Sequence, residues 1–138
     1  MGWLFYASVS AVAAAVTAIL AKIGVEGVPS TLATAFRTLI VVIFAWAMVA
    51  VLGEQRALTT ISKRSLIFLA LSGLATGVSW LAYFRALQLG PASRVAPIDK
   101  LSLPLTIVLA VVLLGEPISW RLAVGVTLMA VGALLTIG

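Results

Sequence analysis

Long uninterrupted blocks of apolar residues are the feature that most constrains how this chain can fold. They occupy residues 1–21, 38–53, 65–84, 101–115 and 122–138. A helix that crosses a bilayer needs about 20 mainly apolar residues, with a range of about 17–25. Extending the shorter blocks through their flanking residues gives five predicted spans, at 2–23, 30–53, 65–89, 95–115 and 120–138. The sequence therefore predicts an all-α membrane protein, a single domain over residues 1–138 in which five transmembrane helices form a bundle with short loops.

The composition excludes a water-soluble domain and several kinds of chemistry. Only 9% of the residues are charged and 63% are hydrophobic, with a mean hydropathy of +1.24, whereas a soluble domain has about 25% charged residues. The chain has no Cys and no His, so thiol chemistry and the commonest general base and metal ligand are absent. No metal, cofactor or enzymatic activity is predicted. The net charge of +5 is scattered over helix ends, which indicates a lipid environment rather than nucleic acid.

The basic residues give only a weak signal for orientation. One side of the predicted bundle receives Arg56, Lys63, Arg64 and Arg121, and the other receives Lys22, Arg37, Arg85, Arg94 and Lys100. The positive-inside rule applied to the short loops places the N-terminus in the cytoplasm. The count of four against five is nevertheless almost even, as required of a chain that inserts in both orientations.

Several charges are predicted to lie inside the membrane. Arg37 falls about 10 Å into the second span at a rise of 1.5 Å per residue, and Asp99 lies in the outer third of the fourth. Such groups usually face the protein interior or a watery cavity. We therefore expect an interior role for Arg37 and Asp99, whereas Lys22 and Arg94, nearer to helix ends, are expected to extend to the headgroups.

Hydroxyl side chains form stripes with helical spacing on three of the predicted spans. The stripes are Thr31, Thr34 and Thr38 on the second, Ser72, Thr76, Ser79 and Tyr83 on the third, and Asp99, Ser102 and Thr106 on the fourth. Together they indicate a shared hydrated lumen, although Ser and Thr also bond back to carbonyls of their own helix. The predicted substrate pathway comprises Arg37, Ser79, Tyr83, Arg85, Asp99, Lys100, Ser102 and Thr106.

Two prolines flank the Asp99–Lys100 pair and predict a hinge. Pro97 suits a first helical turn, whereas Pro104 removes the bond to the carbonyl of Lys100 and kinks the helix. Because adjacent residues on a helix do not face each other, a mutual salt bridge between Asp99 and Lys100 is not expected.

Small residues predict where helices approach one another. Gly73 and Gly77 form a GxxxG pattern on the third span, and Gly125, Gly132 and Thr136 line the fifth. In lipid, such faces let two backbones pack closely. We expect these residues to serve helix packing or dimer formation.

Three segments, "TAFRTL", "LAYFRALQLGPAS" and "LLGEPISWRLAVGVTLMAVGALL", together with the five-span pattern, resemble the EamA-type domain of the drug/metabolite transporter superfamily. The resemblance covers essentially the whole chain and is most specific over 113–134. It implies half of an inverted-repeat carrier, since members commonly carry two such domains in tandem, the second inverted and the substrate path between them.

This chain contains one such domain, so the resemblance implies a dimer, either an antiparallel homodimer, a parallel one, or a pair with an inverted relative. The implied function is secondary-active export or exchange of small metabolites in a prokaryotic inner membrane. No GxxxxGKS or GxxxxGKT motif for ATP is present. Asp99 is the intramembrane carboxylate available for proton coupling, or else a fixed ion-pair partner of Lys22, Arg37 or Arg85. The alternative function is a non-transporting subunit, or half of a lipid-carrier flippase, that needs a partner chain.

The substrate class is suggested by two features of charge. Small multidrug exporters of the same superfamily bind cationic drugs through a Glu on the first span, and residues 1–21 contain no acidic residue. The excess of basic residues in the outer layer instead favours anionic or zwitterionic metabolites.

Overall fold

The computed structural model describes residues 2–137, and in this part of the chain every regular element is helical. The α-helices are α1 (Gly2–Gly24), α2 (Ser30–Leu52), α3 (Lys63–Leu89), α4 (Ala92–Asp99), α5 (Ser102–Leu114) and α6 (Trp120–Leu135), and a 3₁₀ helix (Glu54–Thr60) connects α2 to α3. The first three helices begin and end within two residues of the predicted segments. Apolar blocks of this length dictate helices because, in lipid, each backbone polar group must find its partner within its own segment.

Among residues 2–137, four segments are long and apolar enough to cross a membrane. They are α1 and α2 with 23 residues each, α3 with 27, and the 23-residue stretch Ala92–Leu114 that contains α4 and α5. The predicted fifth span, 120–138, is represented by α6, which has only 16 residues. At 1.5 Å per residue α6 is about 24 Å long, less than the roughly 30 Å of a hydrocarbon core. The structure thus supports a multi-pass helical membrane protein with four candidate spans and a shorter apolar helix.

The helices present large apolar side chains on their outer surfaces. Val51 is 78% exposed, Leu89 73% and Leu74 69%. Soluble monomers rarely expose contiguous apolar patches above a few hundred Å², whereas lipid tails solvate such surfaces. The exposure therefore agrees with the membrane class that the composition predicts.

Glycines with positive φ end two of the helices. Gly53 (φ 72°) caps α2, and its N–H donates to Ala50 and Val49 carbonyls. Gly115 (φ 68°) caps α5, where the N–H of Glu116 donates to the Ala110 carbonyl over 3.3 Å. A left-handed residue at this position closes the last turn, and glycine adopts it without a Cβ clash.

The predicted fourth span is interrupted at Lys100 and Leu101, between α4 and α5. Pro104 explains the position, because a proline ring in a continuous helix clashes with the carbonyl four residues earlier, which here belongs to Lys100. That carbonyl accepts the N–H of Leu103 over 3.0 Å, so the expectation that it is free was wrong. Pro97 is the sixth residue of α4 and not in its first turn, because the helix already begins at Ala92, directly after Pro91.

The chain divides into two compact units. One unit is Ala21–Gln88, with the last turn of α1, α2, the 3₁₀ helix and α3. The described residues before and after it form the other, in which α4 and α5 each pack against α6. The most deeply buried side chains, Val25 and Leu87, belong to the first unit.

Candidate functional site

The guanidinium of Arg37 lies over two aromatic rings of the neighbouring helix. Its carbon is 4.4 Å from the ring centroid of Trp80 and 5.4 Å from that of Phe84. Trp80 and Phe84 are one turn apart on α3, so they share a face. We call Arg37, Trp80 and Phe84 the Arg37 cluster.

The guanidinium of the Arg37 cluster is directed towards the middle of α3. Arg37 is seven residues from the start of α2, and Trp80 nine from the end of α3, which correspond to depths of about 10 and 13 Å. An arginine that extended to the headgroups would lie nearer to Phe84 and the end of the helix. The shorter distance to Trp80 therefore supports the interior position expected for Arg37.

The electrostatic environment of Arg37 is aromatic and not acidic. In the part of the chain that the structure describes, no carboxylate lies within ion-pair distance of it. A cation over an aromatic ring gains about 0.5–2 kcal/mol, whereas insertion scales put an arginine at mid-membrane at about 2.5–3.5 kcal/mol. Arg37 lies about 10 Å from the start of α2 and not at the helix centre, so its cost is below the mid-membrane value and the rings offset part of it.

A polar network closes the end of α3 beside this cluster. Lys22 Nζ donates to the Leu87 carbonyl over 2.6 Å. Gln88 Nε2 donates to the Val28 carbonyl over 2.6 Å and to that of Val25 over 3.4 Å. Arg85 Nη1 in turn donates to Gln88 Oε1 over 3.2 Å. The Gln88 side chain thus accepts from Arg85 through its oxygen and donates to the turn between α1 and α2 through its nitrogen.

Lys22 thus differs from its predicted role, whereas the place of Arg85 in a substrate pathway stays a prediction. Lys22 was expected to extend to the headgroups, but it is half-buried and bonded to the end of α3. Arg85, predicted for the substrate pathway, is engaged with Gln88 on its own helix. Each cation donates a hydrogen bond to a nearby oxygen, Lys22 to a main-chain carbonyl and Arg85 to a side-chain amide oxygen.

Four of the five threonines of the predicted stripes bond to their own helices. Thr34, Thr38, Thr76 and Thr106 each donate to the carbonyl four residues earlier, over 2.8–2.9 Å. Ser79 and Ser102 lie on exposed helix surfaces, and Tyr83 is half-buried next to Phe84, with ring centroids 6.5 Å apart. The back-bonding alternative therefore accounts for these four threonines, and a shared lumen stays a prediction.

Asp99 and Lys100 form a salt bridge with each other. Lys100 Nζ lies 3.2 Å from Asp99 Oδ2, and the lysine side chain is 54% exposed against 31% for the aspartate. The expectation that these neighbours do not pair was wrong. It assumed one continuous helix, whereas α4 ends at Asp99 and Lys100 lies in the following turn, where helical spacing no longer applies.

The four predicted packing glycines do not lie in close helix contacts within the chain. A Cβ placed on Gly73, Gly77, Gly125 or Gly132 meets nothing within 4 Å. Thr136 is the C-cap residue of α6 and donates its hydroxyl to the Ala133 carbonyl. Both roles proposed for these residues, helix packing and contact with a second copy, stay predictions.

Comparison with known proteins identifies the family. A model of the EamA-like transporter family matches residues 1–138. The chain belongs to the EamA-like transporter family. It is also 49% identical, over 133 residues, to a Sinorhizobium protein named "Uncharacterized transporter in cobO 3'region". The alignment covers 96% of this chain and 94% of that relative. No solved structure matches the chain.

Membership of the EamA-like family establishes a membrane transporter at the general level and not an enzyme. The resemblance found in the sequence is thereby confirmed. No group of three or more potential metal-ligating side chains occurs among residues 2–137.

In this EamA-like chain the sequence reasoning missed Trp80, Phe84 and Gln88. With Leu87 they follow spacings of four, three and one, which places them on one face of α3. That spacing is present in "WLAYFRALQ", but the site was predicted from hydroxyl and charged side chains alone. Apolar rings and an amide do not indicate a binding site in a sequence until the arginine that they contact is known.

Proposed function

We propose that this protein is a secondary-active exporter or exchanger of small metabolites in a bacterial inner membrane, and that two copies in opposite orientations form the working transporter. The observation that carries the proposal is Arg37, a cation about 10 Å inside α2 with aromatic neighbours and no described carboxylate partner. Intramembrane cations are costly, and they commonly mark the path of a solute.

The proposed dimer is supported by the resemblance to the superfamily. Members commonly carry two inverted domains in tandem, and residues 1–138 match one EamA-like family model. The Sinorhizobium relative is of similar length, because 94% of it is covered by 133 aligned residues. A second copy inserted upside down supplies the missing half, and the near-even distribution of basic residues between the two sides supports insertion in both orientations.

The experiment fixes the orientation and tests for complementation. Lys63→Ala with Arg64→Ala removes two basic residues from the start of α3, and Thr60→Lys with Ser62→Lys adds two directly before it. We expect C-terminal reporters to show both orientations for the natural chain and one, opposite, orientation for each variant. Each variant alone should lose transport, and co-expression of the two should restore it.

Full transport by a variant held in one orientation would contradict the antiparallel dimer. Flux in liposomes that contain this protein alone tests transport itself, with solutes chosen by a thermal-shift screen of metabolites. Activity that appears only with a second protein would favour the partner-dependent subunit.

Asp99 is the proposed coupling residue, with the break between α4 and α5 as a hinge beside it. Asp99→Asn should lower proton-driven flux and leave exchange of labelled against unlabelled solute intact. If both fluxes fall equally, the Asp99–Lys100 pair holds the helices instead.

A further inference from the structure

We propose that Arg37 binds the carboxylate of a monoanionic solute through the edge of its guanidinium, with Trp80 fixing the plane of the guanidinium from one face. This inference rests on the proposed transport function and names its substrate class. It concerns only the unit Ala21–Gln88, within which all the residues involved lie.

The guanidinium of Arg37 has hydrogen-bond donors available to a ligand. It carries five N–H donors in one plane, and its carbon lies over the Trp80 ring at 4.4 Å. The ring accepts no conventional hydrogen bond, so contact with it leaves the N–H donors of the guanidinium unused. Among the described residues Arg37 has no carboxylate at ion-pair distance and no hydrogen-bond acceptor. The edge is therefore available to a planar, two-oxygen acceptor.

The second step is the number of charges. The neighbouring cations of this unit already donate to protein oxygens, Lys22 to the Leu87 carbonyl and Arg85 to the Gln88 side chain. These oxygens are neutral, so Lys22 and Arg85 keep their charges, but neither side chain belongs to the Arg37 cluster, which itself offers one positive charge to a ligand. One carboxylate balances it, whereas a dicarboxylate or a phosphate dianion would bring a second negative charge into a low-dielectric region where an unbalanced charge is costly.

The third step is the preference for a carboxylate over a neutral polar group. Arginine binds carboxylates through two parallel N–H···O bonds, which are charge-assisted and stronger than neutral ones. Lysine presents a compact charge without this planar fork. The arrangement therefore distinguishes carboxylate from amide in the ligand, and arginine from lysine in the protein.

Binding is tested with propionate as the probe, on the full-length protein in detergent at constant ionic strength. Tryptophan emission reports on Trp80, and Trp80→Phe identifies its share among the four tryptophans of the chain. We expect propionate to change the emission saturably and with an affinity at least tenfold higher than propionamide or succinate. The response should vanish in Trp80→Phe.

The protein variants separate the site from general effects of charge. Arg37→Gln should weaken propionate binding at least tenfold, and Arg37→Lys should weaken it less. Arg64→Gln is the matched control, because Arg64 also lies over an aromatic ring of this unit, Phe68, at 5.9 Å, and propionate binding should not change. If Arg37→Gln does not fold, Arg37→Lys and the choice of ligand still decide the question.

Equal binding of propionate by Arg37→Gln and the natural protein would overturn the site, as would equal binding of propionamide. Tighter binding of succinate would overturn the assignment to monoanions. The readout needs neither flux nor a partner in the opposite orientation. Propionate binding without flux would therefore refute the transport proposal alone, and flux without propionate binding would refute only the site.

Discussion

Single side chains that donate to main-chain carbonyls hold the end of α3. The last carbonyls of a helix lack partners within it, and in lipid no water supplies them. Lys22 reaches the carbonyl of Leu87, and Gln88 reaches those of Val25 and Val28. The cation also lies at the negative end of the helix dipole of α3, which is favourable.

Replacing Lys22 by methionine tests this role at the residue scale. Lys22→Met keeps the apolar part of the side chain and removes the donor to Leu87. A hydrogen bond from a charged group contributes about 1.5–3 kcal/mol, so we expect a lower Tm in detergent. Lys63→Met, at the exposed start of α3, is the control and should change Tm little; equal losses in both variants would contradict the contact.

Gln88→Leu tests the connection between α3 and the turn before α2. Loss of the two carbonyl contacts should loosen residues 25–28, since the amide of Gln88 binds both ends of that segment. We expect hydrogen exchange at Glu26, Gly27 and Val28 to accelerate at least several-fold, with no change at the Gly53 cap. Unchanged exchange in the turn would show that other contacts order it.

At the scale of elements, the interruption between α4 and α5 follows from a proline near the start of α5. Pro104 stands four residues after Lys100, and its ring excludes the carbonyl geometry of a continuous helix at that residue. The turn at Lys100 and Leu101 is the result, and it brings Asp99 and Lys100 into contact at 3.2 Å.

Pro104→Ala should let α4 and α5 merge into one helix over 92–114. Pro104 is the third residue of α5, so the natural chain avoids the cost of about 3 kcal/mol that a proline has inside a helix. The variant can form the additional backbone hydrogen bonds of a continuous helix, so we expect a higher Tm. If the break is a hinge for transport, flux should fall although stability rises. Pro117→Ala, outside the helices, is the control and should leave flux unchanged. If Pro104→Ala is stable and keeps full flux, the hinge is contradicted.

At the scale of the whole molecule, the glycine faces matter only if a second copy covers them. Nothing lies within 4 Å of a Cβ placed at Gly73 or Gly77. The residues nonetheless keep the small-xxx-small pattern that permits close helix contact in lipid.

Gly73→Leu should therefore lower the yield of cross-linked dimer and leave the helix content of the chain unchanged. The added side chain obstructs the close approach of a partner helix, whereas its Cβ meets no atom of its own chain within 4 Å. Ala75→Leu, on another exposed face of α3, is the matched control and should dimerise normally. Normal dimer yield in Gly73→Leu would exclude this face of α3 from the interface.

The sequence by itself determined the class, the first three helices and the family. Apolar block length fixes where a helix forms in lipid, because backbone hydrogen bonds must close within each segment. The charge and hydroxyl patterns also pointed to Arg37, and Pro104 indicated the region of the break. These features are local, so periodicity and chain chemistry suffice to predict them.

The tertiary structure alone decided which groups the charges contact. Arg37 lies over Trp80, Lys22 bonds to Leu87, and Asp99 pairs with Lys100. None of these follows from helical spacing, because the first two join residues 43 and 65 positions apart in the sequence and the third depends on where α4 ends. A long cationic side chain reaches several acceptors at similar cost, and only the packing of neighbouring helices selects one of them.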